Sequence, residues 1–257
     1  MFGKIFVTIF GIVFETKLFV LVEADLNGDG CNDPIVSVPG AEDTKGQVIV
    51  TYGRGSTCSS GLSSTTMPST ISSDEVFTGL AEGDRLGSEI SASTSFNGDA
   101  CSELLIKGNN ESTTSPKAYF ILGRSSDSTC ISESLVPYPT NIKYAYRIFT
   151  TETESHAFIT SGMAASGDIN GDGIDDLLIA AKGSDVNGIE SGQAFVLFGR
   201  SGAFTAEFEL SDLLSANGGD GSLGFAMNGA ASRDGAGQSV AFMGDLNGDG
   251  FDDLAVS

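Results

Sequence analysis

The acidic pattern D-x-N-x-D-G-x-x-D stands three times in this chain, as DLNGDGCND from Asp25, DINGDGIDD from Asp168 and DLNGDGFDD from Asp245. Counting the leading Asp as position 1, the alternate positions of the first loop are Asp25, Asn27, Asp29, Cys31 and Asp33. Those of the second are Asp168, Asn170, Asp172, Ile174 and Asp176, and those of the third are Asp245, Asn247, Asp249, Phe251 and Asp253. A chain that curls around one point can aim the side-chain oxygens of positions 1, 3, 5 and 9 at it. Position 7, whatever its residue type, adds a backbone carbonyl. An all-oxygen set of this kind suits a hard divalent cation, most simply Ca2+; Mg2+ demands a tighter octahedron and keeps its waters. Gly30, Gly173 and Gly250 at position 6 allow the sharp turn.

An Asp/Asn/Gly turn without metal is the plain alternative. Turn chemistry alone does not ask for Asp at positions 1, 5 and 9, and three carboxylates gathered without a cation repel one another. The loop is not an EF-hand. That motif needs a bidentate Glu at position 12 and flanking helices, whereas position 12 here is Val36, Ile179 or Val256 and the flanks read as strands.

The spacing of the loops exposes a longer repeat. Asp168 and Asp245 are 77 residues apart, and Asp25 lies about twice that distance before Asp168. A missing copy is therefore expected near residue 95, where SFNGDACSELLI runs from Ser95 to Ile106. In it Ser95 replaces the first Asp, Ala100 the glycine and Glu103 the last Asp, while Asn97 and Asp99 survive. Asn97, Asp99 and Glu103 are expected to form a weak or empty site.

The flanks repeat too. GLAEGDRLGSEISAS from Gly79 aligns with GAASRDGAGQSVAFM from Gly229 at a constant offset of 150. QVIVTYGR, KAYFILGR and GQAFVLFGR, ending at Arg54, Arg124 and Arg200, follow the first three loops. One unit thus reads as a strand such as 238–243, the acidic loop, a strand such as 176–181, a glycine-rich link, a strand such as 193–198 and a variable segment. Strand-sized lengths with β-branched and aromatic residues favour strands over helices; LSDLL at 210–214 is at most a helical turn. Three or four short strands per unit predict an all-β fold of about three and a half units, each either a propeller blade or a stacked β-repeat.

Composition narrows the partners. The 34 acids outnumber the 13 bases, for a net charge of −21, which argues against nucleic acid. In residues 1–17, Lys4 followed by the apolar run Ile5–Phe14 reads either as signal-like or as a first strand with an irregular start. No run reaches the roughly 18 apolar residues of a membrane span.

The four cysteines follow the repeat. Cys31 and Cys101 take position 7, and Cys58 and Cys130 follow the Gly-Arg turn; the third unit lacks both members together. Pairs kept or lost together predict disulfides Cys31–Cys58 and Cys101–Cys130 and an oxidising compartment. Asn110-Glu111-Ser112 is a glycosylation sequon that agrees with secretion. No catalytic constellation appears. The lone histidine, His156, lies in no motif, the paired acids are accounted for as ligands, and Arg54, Arg124 and Arg200 read as turn or ion-pair residues.

The loop, the upstream LGSEI and AGQSV, and VPGAEDTKGQVIVTYG at 38–53 together resemble the FG-GAP repeats of integrin α-chain β-propellers and their microbial relatives. The resemblance runs over 18–257, with loops at 25–33, 95–103, 168–176 and 245–253. It departs at Thr160, where a glycine is due, and at AAKG, 180–183. It implies calcium in hairpin loops on one face of a seven-bladed propeller and ligand-binding loops on the other. With about three and a half units, the chain is then expected to be part of a larger propeller whose remaining blades lie in the full-length protein or a partner chain. The function implied is a non-catalytic, extracellular or cell-surface adhesion or ligand-binding module for a protein or glycan. The alternative is an accessory propeller of a larger secreted enzyme such as a hydrolase or phospholipase.

Overall fold

The computed structural model describes residues 5–9, 12–16, 21–53, 58, 75–79, 82–108, 118–123, 130, 145–149, 162–201 and 207–257. His156, the sequon at Asn110, Thr160, Arg54 and Arg124 lie outside them.

The chain opens with an antiparallel hairpin of β1 (Ile5–Ile9) and β2 (Ile12–Thr16). The first blade follows as a four-stranded antiparallel meander: β3 (Leu21–Ala24), β4 (Asp33–Val38), β5 (Gln47–Val50) and β6 (Glu75–Thr78). The second repeats it with β7 (Glu89–Ser93), β8 (Glu103–Lys107), β9 (Ala118–Ile121) and β10 (Ala145–Phe149). The third begins with β11 (Gly162–Gly167), β12 (Asp176–Ala181) and β13 (Gln193–Leu197). Its chain then makes β14 (Glu207–Glu209), which leaves the blade to pair parallel with β10, before β15 (Gly224–Asn228) completes the third sheet. A fourth blade starts with β16 (Val240–Gly244) and β17 (Asp253–Val256). Each acidic loop joins the first and second strands of its blade, and the first strands β3, β7, β11 and β16 lie side by side. The fold is all-β, as the repeat spacing predicts, and propeller-like, as the resemblance implies.

The core explains why the second and third strands read as near-continuous apolar runs. A strand buried on both faces needs no polar side. Alternate residues of β12 point opposite ways: Leu177 and Ile179 join a cluster shared with Phe96, Leu105 and Phe120 of the second blade. Leu178 joins Ala194 and Val196 against Phe242, Leu254 and Val256 of the fourth. In β8 the same alternation sends Leu104 and Ile106 to Ile35, Val48 and Val50 of the first blade. Blades therefore stack face to face, and their apolar surfaces hold them in order.

Residues 210–214 do hold a helical turn, the 3-10 segment Leu210–Leu213. It brings buried Leu210 and Leu213 down onto the cluster between the second and third blades. The alignment of the repeated flanks also holds in three dimensions. Gly79 donates to the Gly46 carbonyl (3.0 Å), and Gly229 makes the same bond to Gly192 (2.9 Å).

Candidate metal centre

Each acidic loop is folded by its own carboxylates. In the third blade Asp168 accepts N–H bonds on Oδ1 from Gly171 (2.7 Å) and Asp172 (3.1 Å), and on Oδ2 from Gly173 (2.8 Å). Asn170 Oδ1 accepts from Asp172 N–H (3.0 Å), and Asp172 Oδ1 from Ile174 N–H (2.9 Å). The first loop repeats the pattern: Asp25 holds Asp29 (3.1 Å) and Gly30 (2.8 Å), Asn27 holds Asp29 (2.9 Å), and Asp29 holds Cys31 (2.9 Å). The fourth repeats it again, with Asp245 holding Gly248, Asp249 and Gly250, Asn247 holding Asp249, and Asp249 holding Phe251. The side chains of positions 1, 3 and 5 are thus gathered about one turn. The glycine at position 6 makes that turn at φ 83° in Gly30 and Gly173 and 91° in Gly250, a region that disfavours a side chain.

Position 9 does a different job. Asp33 and Asp176 are buried at the start of the second strand. Asp176 Oδ2 accepts from Ile169 N–H (2.8 Å) and its Oδ1 from Gly199 N–H (2.9 Å), at the end of the third strand. Asp33 does the same with Leu26 and Gly53 (both 2.8 Å). The carboxylate ties the loop to the blade behind it. Burial, with the nearby charges of positions 1 and 5 adding to it, pushes both carboxyls up to about 6 against the opposing N–H bonds.

Among the described residues no three Asp, Glu, His or Cys side chains converge on one point by themselves. What each intact loop presents is a mixed oxygen set. It comprises the carboxylates of positions 1 and 5, the amide oxygen of position 3 and the carbonyl of Cys31, Ile174 or Phe251, with the position-9 carboxylate just beneath. A carboxylate has about four lone-pair sites, so the N–H bonds accepted by Asp25 or Asp168 leave acceptor capacity. The donor chemistry fits a hard cation, and the repulsion felt by Asp33 and Asp176 is what a cation would relieve.

The second loop is built otherwise. Ser95 donates its hydroxyl to the Asp99 carbonyl (2.9 Å) in place of the first carboxylate's bonds. Ala100 at position 6 is not in the left-handed region. Asn97 is buried and bonded to Asp99 in both directions. Glu103 is buried, with Oε2 accepting from Phe96 N–H and the Ser93 hydroxyl (2.7 Å each), and Oε1 has no partner. Burial pushes this carboxyl up to about 8.

Sequence reasoning passed over position 8, and the structure gives it a role between blades. Its N–H donates to the position-1 carbonyl of the preceding loop three times: Ser102 to Asp25 (2.8 Å), Asp175 to Ser95 (3.0 Å) and Asp252 to Asp168 (2.9 Å). Where position 8 is Asp, its side chain latches as well. Asp175 Oδ2 accepts from Thr94 N–H, the Thr94 hydroxyl (2.7 Å) and Ser95 N–H (3.2 Å), and Asp252 Oδ2 accepts from Asp168 N–H (3.0 Å). The doubled DD of the third and fourth loops was the available signal. The Gly-Arg turn is part of the same junction. Arg200 N–H donates to the Phe96 carbonyl (3.0 Å), and a Cβ on Gly199 would stand 2.7 Å from that oxygen.

The predicted disulfides are both present, Cys31–Cys58 and Cys101–Cys130, with Cα separations of 5.0 and 5.5 Å. They anchor position 7 of the first and second loops. Among the described residues no helix is long and apolar enough to cross a membrane. Both observations are compatible with an extracellular setting.

Repeated antiparallel blades, each with an acidic hairpin loop between its first two strands, define the class as a propeller-type repeat. The FG-GAP repeat family model matches residues 164–197, from within β11 through the acidic loop to the end of β13. Residues 164–197 of the third blade are therefore similar to an FG-GAP repeat, which is consistent with the propeller-like fold. No curated protein sequence matches the chain.

Proposed function

We propose that the chain is a non-catalytic calcium-binding propeller module that acts outside the cell in adhesion or ligand binding, its partner a protein or glycan. The observation that carries the metal is the threefold recurrence of one hydrogen-bonded loop, in which positions 1, 3 and 5 orient their oxygens alike. Asp25, Asn27, Asp29, the Cys31 carbonyl and Asp33 would hold one ion. Asp168, Asn170, Asp172, the Ile174 carbonyl and Asp176 would hold a second. Asp245, Asn247, Asp249, the Phe251 carbonyl and Asp253 would hold a third. Bound calcium supplies positive charge to loops that otherwise collect negative charge on a chain of net −21. The residues themselves orient the turn, through positions 1, 3 and 5, and tie it to the blade, through position 9.

Binding to the folded state alone stabilises it by about 2.7 kcal/mol per site at a hundredfold excess over Kd. Calcium should therefore raise the melting temperature and a chelator lower it, with Asp172→Ala removing part of the difference. An identical melting curve with calcium and with chelator refutes the metal reading.

A further inference from the structure

The peptide that carries each loop's position-7 carbonyl also carries its position-8 N–H. A trans peptide is planar, with C=O and N–H pointing opposite ways, and among the described residues no peptide is cis. Whatever holds the position-8 N–H therefore aims the position-7 carbonyl, the backbone oxygen the loop offers to an ion. For the third loop the holder lies in the second: Asp175 N–H donates to the Ser95 carbonyl (3.0 Å). The peptide of that carbonyl is fixed at its other end, where Phe96 N–H donates to Glu103 Oε2 (2.7 Å).

The same relay stands at the other two junctions. Ser102 N–H reaches the Asp25 carbonyl (2.8 Å), and Leu26 N–H reaches Asp33 Oδ2 (2.8 Å). Asp252 N–H reaches the Asp168 carbonyl (2.9 Å), and Ile169 N–H reaches Asp176 Oδ2 (2.8 Å). The second loop has lost its first Asp and its glycine, yet it keeps the relay intact. Two more contacts reinforce the relay between the second and third loops. Asp175 Oδ2 accepts from Thr94 N–H, the Thr94 hydroxyl (2.7 Å) and Ser95 N–H (3.2 Å). It thus grips the residue whose carbonyl its own N–H meets. The Ile174 side chain lies against the second loop, where a Cβ on Gly98 would stand 3.4 Å from its Cδ1.

We propose that the second loop, altered at its own ligand positions, is a positioning element of the third loop's calcium site, with Asp175 as the residue that joins them. The inference rests on the calcium reading above. Asp175 is outside the set of Asp168, Asn170, Asp172, the Ile174 carbonyl and Asp176, and acts through the Ile174–Asp175 peptide. The second loop sets the direction of that peptide before an ion arrives, so fewer groups must be ordered on binding. Removing a partner that orients a metal ligand from behind lowers affinity by about 10- to 100-fold.

The test is calorimetric titration with calcium in a background of Asp25→Ala and Asp245→Ala, which leaves the third loop as the intact one. Circular dichroism checks that every variant is folded at the temperature used. The background protein should bind one ion. Asp175→Ala should raise its Kd by about tenfold or more. Asp175→Asn, which drops the charge and keeps an acceptor, should stay close to the background value. Thr94→Val removes one of the three donors at nearly constant shape and should give a smaller rise, which is readable even if the alanine variant fails to fold. Asp185→Ala is the control. It removes one charge and the bond accepted from Glu190 N–H in the same blade, outside the loop, and should leave Kd unchanged. The proposal is overturned if Asp175→Ala and Thr94→Val both keep the background Kd. It is also overturned if Asp175→Asn weakens binding as much as Asp175→Ala, which assigns the effect to charge alone, or if Asp185→Ala does so. A background protein that binds no calcium refutes the metal reading itself and this inference with it.

Discussion

The second and third acidic loops occupy the same place in adjacent blades and are held in opposite ways. In the third, a carboxylate at position 1 gathers three loop N–H groups, and the position-9 Asp spends both oxygens on the blade. In the second, a serine hydroxyl closes the turn and the longer Glu103 reaches back to Ser93 and Phe96. The third loop concentrates negative charge that a cation would neutralise. The second has shed one carboxylate and buried another at a raised pKa, so it holds its shape with less charge. A repeat can therefore exchange its loop carboxylates and keep its hairpin, because blade packing through residues such as Leu105 and Phe120 does not depend on the loop.

The largest expected effect separates these two loops directly. Asp168→Ala removes both the gathered N–H bonds and a ligand, and should cost about 2–4 kcal/mol in calcium-loaded protein together with one equivalent of bound ion. Asn97→Ala in the second loop should leave the number of bound ions unchanged. Calorimetric titration of the two variants compares them. Somewhat smaller is a gain. Ser95→Asp combined with Ala100→Gly and Glu103→Asp rebuilds the pattern of the third loop in the second and should add one equivalent of calcium, read by the same titration. If it adds none, the pattern alone is insufficient.

A third contrast is in pH. The folded-state carboxyls of Asp176 and Glu103 sit above their ordinary values, at about 6 against 3.8 and about 8 against 4.5. The folded protein therefore holds these protons more tightly than the unfolded chain. Their stabilising contribution is present in full below the ordinary value and is lost as pH rises through the folded one. In chelator, stability should fall between pH 4 and 6 through Asp176 and continue to fall towards pH 8 through Glu103. Glu103→Gln should flatten the upper part, as measured by denaturant unfolding at pH 5, 7 and 8. The smallest effect concerns the junction. Asp175→Ala should cost about 1–2 kcal/mol by freeing Thr94 and Ser95 N–H groups, whereas Ser102→Ala, whose latch is backbone only, should be nearly neutral.

Much of this arrangement is legible in the residues. The loop spacing locates the blades, and the apolar runs at Asp176–Ala181 and Gln193–Leu197 are the observed strands. The shared fate of the cysteines predicts both disulfides. Contacts without a local pattern were not legible. β14 is three residues long and finds its partner β10 about sixty residues earlier, across a blade boundary. The Asp175 and Asp252 latches join separate units, and a repeat read one unit at a time hides them. Position 9 was expected only as a ligand, because its ties to Gly53 and Gly199 depend on how far the third strand returns. The N-terminal run left signal and strand open, and Ile5–Ile9 and Ile12–Thr16 are paired strands.

The central claim is that intact loops bind calcium and the altered one does not. Calcium titration of the metal-stripped protein by calorimetry tests it most directly. The account predicts one ion each at the first and third loops, weaker binding at the exposed fourth and none at the second, with the strong heats abolished in an Asp25→Ala, Asp168→Ala double variant. Heats no larger than dilution, or heats unchanged in that variant, would contradict it.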